Sequence, residues 1–488
     1  MSAADSSSPK SYELAILTVV NNEGDGFDIR NIMLECNIYE SINRNFLLGE
    51  LILGDSISFL ENSKLFGQES LRIKFIQSSG VNDETHIDDT IDQVFRIYKI
   101  EAVNRIDGGT QVFKVLFCSP EMLSAKRSRI SQAFRGSMTD IAAQVAEDHL
   151  GIINKSTDTK LETYFEVREK SQGDNYHVVI PNWTVGYAIN WLCKQAQGID
   201  ANSGLQDSFF WYQTANGGYR IQSLASMMEV DYAGGRPFSY KQANATDGKD
   251  DPYDITDAVT TGVGRRILAY EVDTHADVLK AVVEGLFASK QTTIDNTYKF
   301  FTEKTYNFLE KHFSGGSSIE EHPFVRTQPE ILYIGSAASE GTDVNIIGSR
   351  TEDKSITDYP DAHQILTSDS SFVMDSNDKI HQPNHYTHLG ALQFRNAAKQ
   401  LLDYYTVNVA ISARTDISVG KLINLDIPLP DMSGEAVDPK FYNGKHLITE
   451  IMWNLTPTEC TVNLKCIKDS VINNIETTEM NYGKNTND

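Results

Sequence analysis

The chain has 488 residues, 40% of them hydrophobic and 23% charged, with a formal net charge of −24. At about 100–200 residues per domain this length predicts roughly three to four domains with ordinary apolar cores. The acidic balance excludes a chain built for non-specific nucleic-acid or anionic-membrane binding, because both need basic patches.

Residues 1–11 read as disordered: Met1 to Lys10 is polar and serine-rich, with no apolar signal core. Residues 12–120 read as β-rich. Ile32, Leu34, Cys36 and Ile38 alternate with polar residues, Leu48 to Leu53 is a short glycine-marked strand, and Leu71, Ile73 and Phe75 alternate with Arg72 and Lys74. Phe95 to Ile106 and Val112 to Cys118 flank Asp107-Gly108-Gly109, which predicts a hairpin because Asp-Gly tolerates the left-handed backbone of a tight turn. The acidic loop with Asp88, Asp89 and Asp92 reads as solvated.

From Pro120 the pattern turns helical, and residues 121–205 read as an α+β connecting unit. Ser137 is placed to cap a helix carrying Met138, Ile141, Ala142, Val145 and His149, which Gly151 ends. Thr184 precedes an unbroken apolar face of Val185, Ala188, Ile189, Leu192, Cys193 and Ala196, closed by Gly198. Phe209 to Thr214 and Tyr219 to Leu224 flank an Asn-Gly turn, predicting a hairpin in which Trp211 packs in the core. Residues 233–394 differ. The spacing predicts one helix over Val278, Leu279, Val282, Val283 and Leu286 after a Thr274 cap, and a second over Ile294, Tyr298, Phe301, Phe308 and Leu309. A long polar tract, Ser336 to His388, follows and marks the segment as an insertion. Arg395 to Tyr405 is amphipathic. Beyond it the period shortens to two, in Val407 to Ile411, Leu422 to Leu425, Leu447 to Trp453 and Cys460 to Cys466.

Chemistry is sparse. No phosphate-cradling glycine loop, dinucleotide fingerprint, zinc-protease helix or nucleophile elbow is present. Among 67 acidic residues no glycosidase-like pair stands out. His381, His385 and His388 come nearest to a metal motif, but Pro383 and Asn384 interrupt the spacing, only Asp375 and Asp378 lie close, and the segment reads as an exposed loop. His149 reads as a half-buried helix residue. The five cysteines include no CxxC pair, which points to reduced thiols; Cys193, Cys460 and Cys466 read as core filler. No apolar run approaches the ~18 residues of a membrane span. The chain is expected to be made and assembled in cytoplasm, to be no enzyme, and to carry no catalytic, cofactor-binding or metal-binding residue and no cofactor. Lys126, Arg127 and Arg129 form a basic cluster, either a solvated loop or a contact for an acidic neighbouring subunit.

Two stretches run in a similar order: Leu48 to Ile52, Phe95 to Ile100 and Val112 to Ser119, then Val419 to Ile423, Leu447 to Ile451 and Val462 to Ser470. Duplication of a β-module or chance would both produce this. Four segments together resemble the central hub proteins of contractile-tail phage baseplates, and more distantly the hub part of type VI secretion spike proteins. They are Glu40-Ser41 with Gly49 to Ser56; Phe113 to Glu121 with Arg129 to Phe134; Ile180 to Leu192 with Phe209 to Tyr212; and Val419 to Pro428, Gly444 to Ile451 and Leu464 to Ser470. They span most of residues 27–232 and 395–475.

The resemblance implies an α+β, mainly β fold with two similar β-barrel tube domains, an α/β connecting domain and a long insertion in the second barrel. The expected division is 12–120 for the first barrel, 121–205 for the connector, 206–232 and 395–475 for the second barrel, 233–394 for the insertion and 476–488 for a flexible tail. It also implies a homotrimer with pseudo-sixfold symmetry, located in the tail baseplate of a virion. The ring would join a hexameric tail tube, or a tube-initiator protein, to a trimeric central spike. Baseplate wedge proteins would surround it, and genomic DNA would pass through its lumen without specific binding. An acidic lumen would let DNA slide. Two other readings stand beside this one: a tail-tip peptidoglycan hydrolase with its activity in the insertion, and the hub of a non-phage injection system. The latter normally expects a needle-like extension in the same chain, whereas only polar Asn473 to Asp488 follows here, so a separate spike protein is expected.

Overall fold

The computed structural model describes residues 12–77, 90–107, 109–154, 164–168, 170–171, 176–198, 208–216, 218–228, 238–239, 267–274, 277–295, 299–308, 322–323, 359–368, 373–374, 380–381, 391–402, 404–412, 414–427 and 442–471. Alternation of period two dominates them, and the architecture is mostly β with large antiparallel pairings. In chain order the first half runs β1 (Tyr12–Val20), β2 (Gly26–Asp28), β3 (Met33–Ser41), β4 (Leu48–Asp55), α1 (Phe59–Asn62), β5 (Ser70–Gln77), β6 (Thr90–Asp107) and β7 (Thr110–Cys118). The connector runs α2 (Pro120–Arg127), β8 (Arg129–Gly136), α3 (Met138–Leu150), β9 (Ile153–Asn154), β10 (Tyr164–Val167), β11 (Tyr176–Thr184), α4 (Val185–Gln195), β12 (Phe209–Thr214), β13 (Gly218–Ser223) and α5 (Leu224–Met228). Then come β14 (Phe238–Ser239), β15 (Ile267–Thr274), α6 (Val278–Val283), β16 (Ala288–Asp295), β17 (Phe300–Asn307), β18 (His322–Pro323), β19 (Gln364–Ser368), β20 (Val373–Met374) and β21 (Ile380–His381). The chain closes with α7 (Ala391–Leu402), β22 (Thr406–Ser412), β23 (Leu422–Asp426), β24 (Gly444–Leu455), β25 (Cys460–Ile467) and β26 (Ser470–Val471).

Thirteen strands form one sheet, ordered β15-β22-β25-β24-β3-β4-β7-β6-β5-β1-β2, with β23 and β14 branching from β24. The seam between the two halves is β24 against β3, from Glu450 opposite Ser41 to Leu455 opposite Cys36. Its inward side brings Ile451, Trp453 and Leu455 onto Glu40, Ile38 and Cys36, all buried. Its outward side is a polar ladder. The Asn454 amide donates to Glu35 and to Asn37 Oδ1, both at 2.7 Å, and the Asn37 amide donates to Glu50 at 3.1 Å. The Trp453 indole N–H is satisfied by the Arg414 carbonyl at 3.2 Å. Side chains from both halves share one apolar core.

The connector builds a second core. Ser137 caps α3 by accepting the Asp140 N–H at 3.1 Å, and Gly151 ends it at φ +68. Thr184 sits at the N-cap of α4 but makes no side-chain capping bond. The β12–β13 hairpin forms where expected and lies outside the large sheet. It pairs through β13 with β10 in a separate four-stranded sheet. The reason is amphipathic splitting: Phe210 and Tyr212 enter the large core while Phe209, Trp211, Tyr219 and Ile221 enter the connector core. A strand wanted by two cores sits between them.

The expected insertion is also divided. β15 joins the large sheet beside β22, and β14 pairs with β23. β16, β17 and β19 form their own three-stranded sheet, which packs with α6 and α7 around Leu286, Phe287, Tyr306, Phe308, Ala397 and Leu401. The helix expected over Ile294 to Leu309 is a hairpin, Ala288 opposite Asn307 to Asp295 opposite Phe300. Thr292, Thr293, Thr302 and Thr305 explain it, since β-branched residues favour strands over a helix of coincidental apolar spacing. α6 is short, and Asp277 rather than Thr274 caps it, accepting the Lys280 N–H at 2.9 Å. Leu34, expected to face inward, is 48% exposed because a bulge between Met33 and Glu35 shifts the phase of β3. Asp92 is no solvated loop residue; it pairs with Arg72 at 2.9 Å.

Gly49 in β4 allows a close approach: an added Cβ would run into the Phe117 ring and lie 2.6 Å from the Asn37 carbonyl. Gly54, on the same strand, faces only Leu34 at 3.4 Å. Gly49→Ala is therefore expected to cost ~1–3 kcal/mol of stability by overpacking. Gly54→Ala should stay within about 0.5 kcal/mol of the parent. Urea denaturation of the two variants checks the contrast.

Candidate functional site

Cys36, Ile38 and Glu40 share the inward phase of β3, so the alternation that buries two apolar side chains buries a carboxylate with them. Glu40 is 1% exposed. Two distant turns meet it. The Ala215 N–H, after β12, donates to Oε2 at 2.9 Å, and the Val419 N–H, before β23, donates to Oε1 at 2.8 Å. One side chain thus ties the first half, the connector hairpin and the second half together.

The same hairpin turn is held from every side. The Gln93 amide donates to the Ala215 carbonyl at 2.7 Å. The Asn216 amide donates to the Thr415 carbonyl at 2.9 Å. Gln213 Oε1 accepts the Leu47 N–H at 3.0 Å and the Ser119 hydroxyl at 2.5 Å. Arg220, buried on β13, reaches Ser418 Oγ at 3.4 Å and lies 3.8 Å from Glu166. Gly420 adopts φ +76, and an added Cβ would strike the Tyr212 hydroxyl, which itself donates to Gln222 at 3.0 Å.

Electrostatically the junction is balanced on Glu40. Burial pushes its carboxyl up from 4.5 to about 7, against the pull of the two backbone N–H groups and of the Arg220 and Lys421 charges. Burial, with Arg220 beside it, holds the Lys421 ammonium below its ordinary value. Burial likewise lifts the Tyr212 hydroxyl to about 12. Acceptors face donors, and the Arg220 and Lys421 charges lie near the Glu40 carboxyl. The arrangement does the work of a lock.

The residues weighed from sequence fall elsewhere. His381 lies in β21 opposite Val373, while His385, His388, Asp375 and Asp378 lie outside the described residues. Among the described residues no group of three or more His, Cys, Asp and Glu is placed to hold a metal ion. His149 is half-buried in the last turn of α3. Cys193, Cys460 and Cys466 are buried free thiols, and burial raises each well above the ordinary cysteine value. Trp211 is buried and stacks on Tyr219 at 5.8 Å. Lys126, Arg127 and Arg129 are exposed where α2 passes into β8. Sequence reasoning missed Glu40, Gln213, Arg220 and Lys421 as a set. The available signal was Glu40 itself, an acid in phase with Cys36 and Ile38.

No family model and no curated protein matches the chain. Solved structures resembling it are tail and spike proteins. The tail protein of Neisseria meningitidis MC58 aligns with a TM-score of 0.46 at 10% identity, covering 94% of this chain and 97% of that one. The 43 kDa tail protein of prophage MuSo2 from Shewanella oneidensis aligns with a TM-score of 0.47 at 9% identity, covering 93% and 98%. An Escherichia coli component of the type VI secretion system, described as structurally similar to T4 bacteriophage tail proteins gp27 and gp5, aligns with a TM-score of 0.37 at 7% identity, covering 94% and 77%.

The junction's pH dependence has a definite sign. With its folded value raised, Glu40 keeps a proton that the unfolded chain has already released. Its contribution is full below 4.5 and is lost as pH rises through about 7. Glu40→Gln puts an amide N–H against one of two backbone N–H donors and should cost ~1–3 kcal/mol at pH 5. The gap to the parent should narrow by pH 8, because the variant has no carboxyl to ionise. Thermal melts of both proteins across that range check it; a gap that widens with pH contradicts the assignment.

Proposed function

We propose that the chain is the structural hub of a contractile-tail baseplate. In this reading it is a homotrimer with two barrel-type tube domains per copy. The pseudo-sixfold ring joins a hexameric tail tube, or its initiator, to a trimeric central spike and leaves a channel for DNA. The observation that carries the reading is the seam. Two β-rich halves share one sheet across β24 and β3 and one apolar core, so each copy supplies two β units as a single piece. Three such pieces present six units, which is what a junction between sixfold and threefold partners needs. The sequence segments that resemble hub proteins fall largely on these shared strands and on the Glu40 junction.

The outward face of the large sheet carries matched charges, Lys114 on Glu50, Lys99 on Glu101 and Arg72 on Asp92. If this face lined the channel, DNA would meet a balanced polar wall with no basic stripe to hold phosphate. The net charge of −24 would then act through other surfaces. Wedge proteins would contact the periphery, and the location would be the tail baseplate of a virion assembled in host cytoplasm.

Native mass spectrometry of the purified chain, alone and with its neighbouring spike protein, tests this directly. A three-copy mass that gains three copies of spike is expected, with no clearing on a peptidoglycan zymogram. A chain that stays monomeric in both conditions, or that clears the gel, contradicts it.

A further inference from the structure

The connector carries two surfaces of opposite charge that the junction does not use. β8 and β11 form a two-stranded ribbon with no acidic residue in either strand. Its inner side, Ile130, Phe134, Val178 and Ile180, is buried in the connector core. Its outer side has an apolar centre, Ala133 opposite Val179 and Pro181 opposite Ser131, with Val179 70% exposed. At one end of the ribbon stands Arg129, preceded by Lys126 and Arg127 at the end of α2, all exposed. Arg129 also donates to the Asn182 carbonyl at 3.1 Å, beside the bulge where Asn182 adopts φ +54. Three exposed basic residues grouped this way in a chain of net charge −24 make a surface complementary to an acidic one.

An acidic surface of this kind lies on the same module. Ile141, Ala142, Val145 and Ala146 of α3 face inward, onto the cluster that buries the ribbon. Its opposite face exposes Asp140, Gln144, Glu147 and Asp148, which share one side of the helix at spacings of three and four. Asp140 pairs with Lys170 at 3.2 Å. Ribbon and helix both pack into one core while these polar faces stay exposed.

We propose that the basic ribbon face docks the acidic α3 face of a second copy of this chain. Complementary patches at two different places on one module make a head-to-tail contact, the kind that propagates around an axis and closes into a ring. Val179 and Pro181 supply an apolar centre and the charges a rim that sets register, the division expected of a specific interface. The proposal rests on the hub reading, since it names the surfaces that would hold that ring together.

The test measures self-association of the full chain by sedimentation velocity at several salt concentrations. Lys126→Glu with Arg127→Glu should weaken association about tenfold or more at low salt. Glu147→Lys with Asp148→Lys should do the same, and the four changes combined should restore it. The altered side chains are exposed, and unchanged near-ultraviolet circular dichroism confirms folding. Parent and both reversals associating equally well overturns the docking surface and leaves the hub reading standing. A parent that never self-associates overturns the hub reading and the docking surface together.

Discussion

A buried carboxylate is the constraint on which the rest of this structure depends. Glu40 takes two backbone N–H groups from turns 175 and 379 residues away along the chain. A carboxyl group of this kind is costly to bury without hydrogen-bond donors, and burial keeps it protonated up to about pH 7. The protein meets both oxygens and adds Arg220 and Lys421 as compensating charge. Removing any partner leaves the others exposed to that cost, so the first half, the connector hairpin and the second half are set relative to one another together. The pairing is strongly non-local, so it is closed at a large cost in loop entropy.

How much of this was legible in the chain follows from how local each signal is. The alternation in β5 and β25 and the capped face of α3 reported themselves, because period and cap act within a dozen residues. The β12–β13 hairpin was legible as a hairpin but not in its placement, since Phe210 and Trp211 each look like a core residue and only the fold says which core. The β16–β17 hairpin was misread because Ile294, Tyr298 and Phe301 fit a helical spacing while the threonines between them favour a strand. Gly49 and Gly420 matched in the proposed repeat for different reasons, one yielding to the Phe117 ring and the other supplying a left-handed backbone. Matching glycines were therefore weak evidence of duplication. The junction was the least legible part. Its partners are strewn along the chain, and its one local trace was an acid in an apolar phase.

The two halves, the seam and the connector fit one mechanical purpose. The seam joins the two halves in one sheet, and the polar ladder of Asn454, Asn37 and Glu50 supports the register of that pairing. The connector exposes basic residues where α2 passes into β8 and acidic residues along α3. In the proposed ring such a body would repeat around an axis, with the Glu40 junction holding its parts in register.

Electron microscopy of the purified assembly, viewed down its axis, tests this account most directly. The account predicts closed rings of three copies in which six similar β units surround a central opening. Isolated single copies, or twofold pairs with no opening, would contradict it.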